Sequence, residues 1–273
     1  MKTRILVAVV AIPILVLIIL LAPVWVLGVL VGGIAAGAAW ELLRCTETDM
    51  PLRMRCYGAA AAFCIPFLTV FFPAARVYEI ALIALFMLCF CELMLSFRKE
   101  TTMALESVTS VLLAGGIMPV LLSGLVRLGL RENGAVYALL PFVVTFSTDS
   151  GAYFAGLGLG RHKLAPHLSP NKTIEGSIGG FVAGIAFALL YGVVLRACGF
   201  EVKMPVMASY GFLGALACQL GDLGFSAVKR LCGVKDYGNL IAGHGGMLDR
   251  FDSMFWTAAL LELLVAWVPA ITK

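Results

Sequence analysis

The chain has 273 residues, 61% of them hydrophobic and only 13% charged, with a mean hydropathy of +0.99. Soluble domains carry about a quarter charged residues, so an ordinary soluble domain is excluded. The net charge of +4 is too small to point to a nucleic-acid partner.

The pattern is that of an all-α polytopic membrane protein, read as one integral membrane domain over 1–273. Residues 1–100 supply N-terminal helices, and 135–273 supply catalytic helices and loops. Lys2 and Arg4 precede the apolar run Ile5–Leu21, which opens like a secretory leader. No small-x-small cleavage site follows, and Ala22-Pro23 leads straight into another apolar run, so an uncleaved first helix is expected. Apolar runs of about 20 residues span a bilayer, and further spans are predicted over 24–42, 57–73, 77–96, 104–125, 135–157, 176–197, 205–228 and 253–270. That makes nine.

Most of the 20 Lys and Arg residues then fall on the side of the N-terminus. The positive-inside rule places that side, with loops 158–175 and 229–252, in the cytoplasm. The expected location is a bacterial-type cytoplasmic (inner) membrane with the active site facing the cytoplasm. The eight cysteines show no CxxC spacing and read as small apolar side chains. Glu41, Glu92 and Glu262, in or beside apolar spans, read as helix-end or interhelical hydrogen-bonding groups.

Three polar islands interrupt this hydrocarbon. Asp222 lies in an apolar helical run, where a carboxylate is costly and signals function. On a helix it shares one stripe with Ser226 and Lys229, at i, i+4 and i+7, with Gly221 and Gly224 beside it for close helix approach. The bland reading is an internal salt bridge to a basic residue. The second island, GHGGMLDRFDS, holds Asp249 and Asp252 three apart behind Gly243, Gly245 and Gly246. A glycine turn opening onto a helix suits a phosphate, although Asp252 alone is equally an N-terminal cap. The third, 149–176, holds Asp149, Arg161, His162, Lys163, His167 and Lys172; basic residues there also suit anionic lipid headgroups. Acidic residues on separate elements flanked by Lys and Arg are what phosphoryl or nucleotidyl transfer needs: carboxylates for Mg²⁺, cations for the phosphate oxygens.

Residues 226–252 resemble the signature of the phosphatidate cytidylyltransferases (CDP-diacylglycerol synthases). The matching positions are Ser226, Val228, Lys229, Arg230, Lys235, Asp236, His244, Gly245, Gly246, Asp249, Arg250, Phe251 and Asp252. DSGAYFAG, HKLAP and SPNKTIEG extend the likeness, while the first ~100 residues match in hydropathy alone. Leu157 and Asn171 stand where many members carry Arg and Lys, and Ala242 where Pro or Gly is usual.

The resemblance implies transfer of CMP from CTP or dCTP to phosphatidic acid within the membrane lipids, giving CDP-diacylglycerol and pyrophosphate. It assigns Asp222 and Asp249 to Mg²⁺, with a second, monovalent or divalent, cation as a further candidate. Lys229 joins these two as catalytic. Ser226, Arg230, Lys235, Asp236, His244, Arg250, Asp252, Lys172 and Asp149 are the expected substrate contacts. It also implies a homodimer. The competing functions are a CTP-dependent polyprenol or phytol kinase and, from a different class, a cation transporter lined by Asp149 and Asp222.

Overall fold

A computed structural model of the chain describes residues 13–46, 50–73, 77–97, 104–238 and 245–272. Six helices among these residues are long and apolar enough to cross a membrane: Val24–Thr46, Leu52–Phe71, Tyr78–Ser96, Leu105–Gly129, Ile174–Ala197 and Met204–Leu231. The predicted span 5–21 lies largely outside the described residues, and 13–21 are helical. The predicted spans 135–157 and 253–270 correspond to helices Gly134–Leu159 and Leu248–Trp267, which are not among the six.

The chain divides into two compact units, Met1–Leu130 with Cys232–Phe251, and Arg131–Leu231 with Asp252–Lys273. The first holds α1 (Val24–Thr46), α2 (Leu52–Phe71), α3 (Val77–Ser96), α4 (Leu105–Leu112), a π-helical turn (Leu113–Ile117), α5 (Met118–Leu122) and α6 (Gly124–Gly129). The π-helical turn contains Gly115 and Gly116, and a side chain on Gly115 would lie 2.6 Å from the Gly58 Cα. Backbone therefore packs against backbone where α2 crosses it. Small residues at such crossings are the usual means of bringing membrane helices together. In this unit Arg53 pairs with Glu92 at 2.7 Å and Tyr57 donates to the same carboxylate, the interhelical role expected of Glu92.

The second unit holds α7 (Gly134–Leu159), a hairpin of β1 (Lys163–Ala165) and β2 (Ser169–Thr173), α8 (Ile174–Ala197), β3 (Glu201–Val202), α9 (Met204–Leu231), α10 (Leu248–Trp267, whose first residues belong to the first unit) and β4 (Ile271–Thr272). β1 pairs antiparallel with β2, and β3 with β4. Helices α7 and α8 meet along a seam of small residues. A side chain on Gly151 would strike Ala183 and the Gly179 carbonyl, and one on Gly179 would strike Ala155. Gly211 on α9 sits similarly against the backbone of Gly184 and Ile185. Arg131 pairs with Glu262 at 3.3 Å, as expected of Glu262. The close α7–α8–α9 packing brings Asp149, the hairpin and Asp222 to one end of the unit.

Candidate active site

In the second unit the hairpin between α7 and α8 is built by local rules. Thr173 caps α8 by accepting the Gly176 N–H at 3.1 Å, the role for which a hydroxyl before a helix is favoured. Glu175, in the first turn where a carboxylate suits the helix dipole, reaches back along the incoming chain. Its Oε2 accepts the Arg161 and His162 N–H groups at 3.1 and 3.2 Å, and its Oε1 contacts His162 Nδ1 at 2.6 Å. Ile174 donates its N–H to the His162 carbonyl. Arg230 Nε donates to the Leu168 carbonyl at 3.1 Å, tying the hairpin's tip to the end of α9.

The hairpin thereby presents Lys172 to α9. Lys172 Nζ lies 2.6 Å from Asp222 Oδ2, with both side chains partly open to solvent. Ser226, one turn on and buried, donates to Asp222 Oδ1 at 3.4 Å. The predicted stripe is thus in place, and the basic partner left open for Asp222 is Lys172. These two line a cavity of about 540 Å³ together with Asp149 and Gln219. Its remaining wall is largely apolar, from Ala152, Tyr153, Leu157, Leu164 and Leu223. A few polar groups set in a largely apolar lining is the usual make-up of a small-molecule site.

Two further carboxylates share this electrostatic neighbourhood. Asp149 interacts with the charges of Asp222 and Lys172, and buried Asp252 with those of Asp222, Lys229 and Asp149. Asp252 Oδ1 accepts the N–H of Ser253. Among the described residues no group of three or more His, Cys, Asp or Glu side chains is placed to hold a metal ion. The donors here are carboxylate and hydroxyl oxygens, which suit a hard cation such as Mg²⁺. Mg²⁺ commonly takes one or two carboxylates and fills its shell with water and substrate phosphates. The residues present fit it on those terms.

Other groups at this site go beyond what the sequence predicts. Cys218 donates to Asp149 Oδ1 at 3.3 Å, a specific bond where an apolar filler was expected. Gln219 Nε2 donates to the Ser177 carbonyl, and the Ser177 hydroxyl bonds to Gln219 Oε1. The signal for the α9 pair was present, because positions 218 and 219 precede Asp222 by four and three residues and so share its helix face. Ser177 on α8 has no comparable cue.

In the first unit, Asp249 organises the segment that carries it. Its Oδ2 accepts the N–H of Tyr237 at 2.9 Å and of Gly246 at 3.0 Å. Gly245 has φ +84°, a left-handed conformation that glycine adopts without cost. Lys235, Asp236 and Arg250 are exposed. His244 and Ala242 lie outside the described residues. Glu41 on α1 accepts the N–H groups of Met247 and Leu248, the helix-end role expected for it.

Long apolar helices carrying a cluster of carboxylates beside Lys172 define a membrane protein with a polar site. The chain belongs to the cytidylyltransferase family, whose family model matches residues 2–268. It is 44% identical over 141 residues to a phosphatidate cytidylyltransferase of Bacillus subtilis (strain 168), covering 50% of each chain. Proteins of the same name from Staphylococcus aureus (strain COL) and Staphylococcus haemolyticus (strain JCSC1435) are 43% and 42% identical over 137 and 135 residues, in each case 50% of this chain and 51% of theirs. The chain spans about half the length of the curated relatives it matches.

Proposed function

We propose that this protein transfers CMP from CTP or dCTP to phosphatidic acid, giving CDP-diacylglycerol and pyrophosphate for phospholipid synthesis. Family membership and the names of its relatives support this reading. The observation that carries it is the Lys172–Asp222 pair on the wall of a cavity whose lining mixes these charges with apolar side chains. Such a cavity suits a phosphate joined to a hydrocarbon tail.

A non-bridging oxygen of the lipid phosphomonoester attacks the α-phosphorus of CTP. The new P–O bond forms as the bond from that phosphorus to the α,β-bridging oxygen breaks, and pyrophosphate departs with the electron pair. The attacking phosphate is already ionised at neutral pH, so the chain needs to supply no general base. Lys229 and Lys172 offset charge on the phosphate oxygens, where preorganised cations act most strongly. Ser226 orients Asp222, and Asp149 and Asp252 add negative potential that holds these cations and any metal. When bound, Mg²⁺ would neutralise phosphate charge and favour pyrophosphate as the leaving group. Asp222 and Asp249 are the proposed ligands, each testable by its own variant. Arg230, Lys235, Asp236, His244 and Arg250 complete the proposed substrate contacts.

The same reading includes nine membrane spans, a cytoplasm-facing site in the inner membrane and a homodimer. The deciding experiment supplies purified protein in detergent with Mg²⁺, CTP and phosphatidic acid. CDP-diacylglycerol and pyrophosphate are the expected products, and release of CDP with a newly phosphorylated lipid would replace this reading with a lipid kinase.

A further inference from the structure

The segment carrying Asp249 is gripped from a helix near the other end of the sequence. Glu41 lies towards the C-terminal end of α1 and is 4% exposed. Its two carboxylate oxygens serve successive backbone amides: Met247 N–H donates to Oε1 at 2.9 Å and Leu248 N–H to Oε2 at 2.8 Å. These are the opening N–H groups of α10, which have no acceptor within the helix. Two glycines are fitted to the same carboxylate. A side chain on Gly238 would lie 2.7 Å from Glu41 Oε1, and one on Gly246 would meet both oxygens. Asp249 Oδ2 binds the same segment through the N–H groups of Tyr237 and Gly246. Gly246 therefore has Asp249 on its amide and Glu41 against its α-carbon.

We propose that Glu41 is a positioning residue for Asp249, acting through the Gly246–Leu248 backbone rather than through substrate. The inference rests on Asp249 belonging to the transfer site. A buried carboxylate at the end of an apolar helix is costly unless its bonds compensate, and an apolar side chain would serve packing alone. Glutamine has nearly the same shape but offers one acceptor oxygen and turns an NH₂ group towards the second amide. Glu41→Gln therefore breaks the two-oxygen grip with little change in volume, and Glu41→Asp keeps the charge but loses the reach.

The test uses the full chain in detergent and two readouts. Hydrogen–deuterium exchange at Met247 and Leu248 is expected to quicken at least about tenfold in Glu41→Gln, as befits loss of a charge-assisted bond. The kcat is expected to fall by about 10–100-fold, the scale of an ångström-level misplacement, while KM for phosphatidic acid stays within about threefold. Glu41→Asp should move both readouts the same way, which keeps the test decisive if the glutamine variant folds poorly. Glu92→Gln, which disturbs a half-buried glutamate paired with Arg53 and Tyr57, should leave exchange at Met247 and Leu248 unchanged.

Added to Asp249→Asn, Glu41→Gln should cost little more activity, because both act through one group. Unchanged exchange, an unchanged kcat or a fully additive loss would each overturn the proposal. A wild-type protein that makes no CDP-diacylglycerol sinks the assigned reaction instead, and the exchange measurement alone then decides for or against the grip by Glu41.

Discussion

The Lys172–Asp222 pair separates an active-site role from a structural one through a cycle of three variants: Lys172→Met, Asp222→Asn and the double variant. The groups meet at 2.6 Å with side-chain exposures of 26% and 33%. Charges about 4 Å apart at an effective dielectric constant of about 20 attract by roughly 4 kcal/mol. Desolvation of both partners and screening by solvent reduce the net to about 1–3 kcal/mol. Each single variant removes one partner's nearest counter-charge and should lose about that much stability. At roughly 2–4 °C per kcal/mol in chains of comparable size, the loss reads as a drop of several degrees in thermal unfolding. The double variant removes both charges and should recover most of the drop. Activity should behave differently. If both groups act on phosphate or metal, each single variant loses at least about 100-fold in kcat/KM, equivalent to about 2.7 kcal/mol of transition-state stabilisation. The double variant should then stay inactive despite its recovered stability. Recovery of activity along with stability would rule out an active-site role and reduce the pair to an ion bridge between the hairpin and α9.

Three other outcomes are expected. Asp249→Asn should reduce turnover by about 100-fold or more while folded protein still accumulates in the membrane; full activity would remove Asp249 from the metal site. Glu175→Ala discards the acceptor for the Arg161 and His162 amides and the partner of His162. At about 0.5–1.5 kcal/mol per bond, it should speed limited proteolysis between α7 and α8 and lower kcat/KM by presenting Lys172 less well; an unchanged cleavage rate would show that the hairpin is held otherwise. Gly151→Leu should cost about 1–3 kcal/mol through overpacking against Ala183 and the Gly179 carbonyl, read as a lower unfolding temperature, and an unshifted transition would mean that the α7–α8 seam yields.

What could be read in advance follows the range of the forces involved. Hydropathy reports apolar length, so helices such as Ile174–Ala197 and Met204–Leu231 fall close to their predicted spans. It is weaker for Gly134–Leu159 and Leu248–Trp267, where polar site residues dilute the apolar run. The Asp222–Ser226 bond was legible because helical spacing alone brings i and i+4 together. Lys172 as the partner of Asp222 was not, since 50 positions of chain separate them and the hairpin that closes the gap depends on Thr173, Glu175 and Arg230 acting together.

Glu41 shows the same limit from the opposite direction. Its burial at a helix end was predictable from its place in an apolar run, but its donors' identity was not, because Met247 and Leu248 lie more than 200 positions away. Yet the sequence holds a trace of that contact. Gly238 and Gly246 are both positions where a side chain would meet Glu41 oxygens, so Gly246, first read as part of a phosphate turn, also makes room for a carboxylate from α1. One turn thus answers to two demands, an Asp249 that must be placed and a Glu41 that places it. Exchange rates at Met247 and Leu248, measured with and without Glu41's charge, weigh those demands separately.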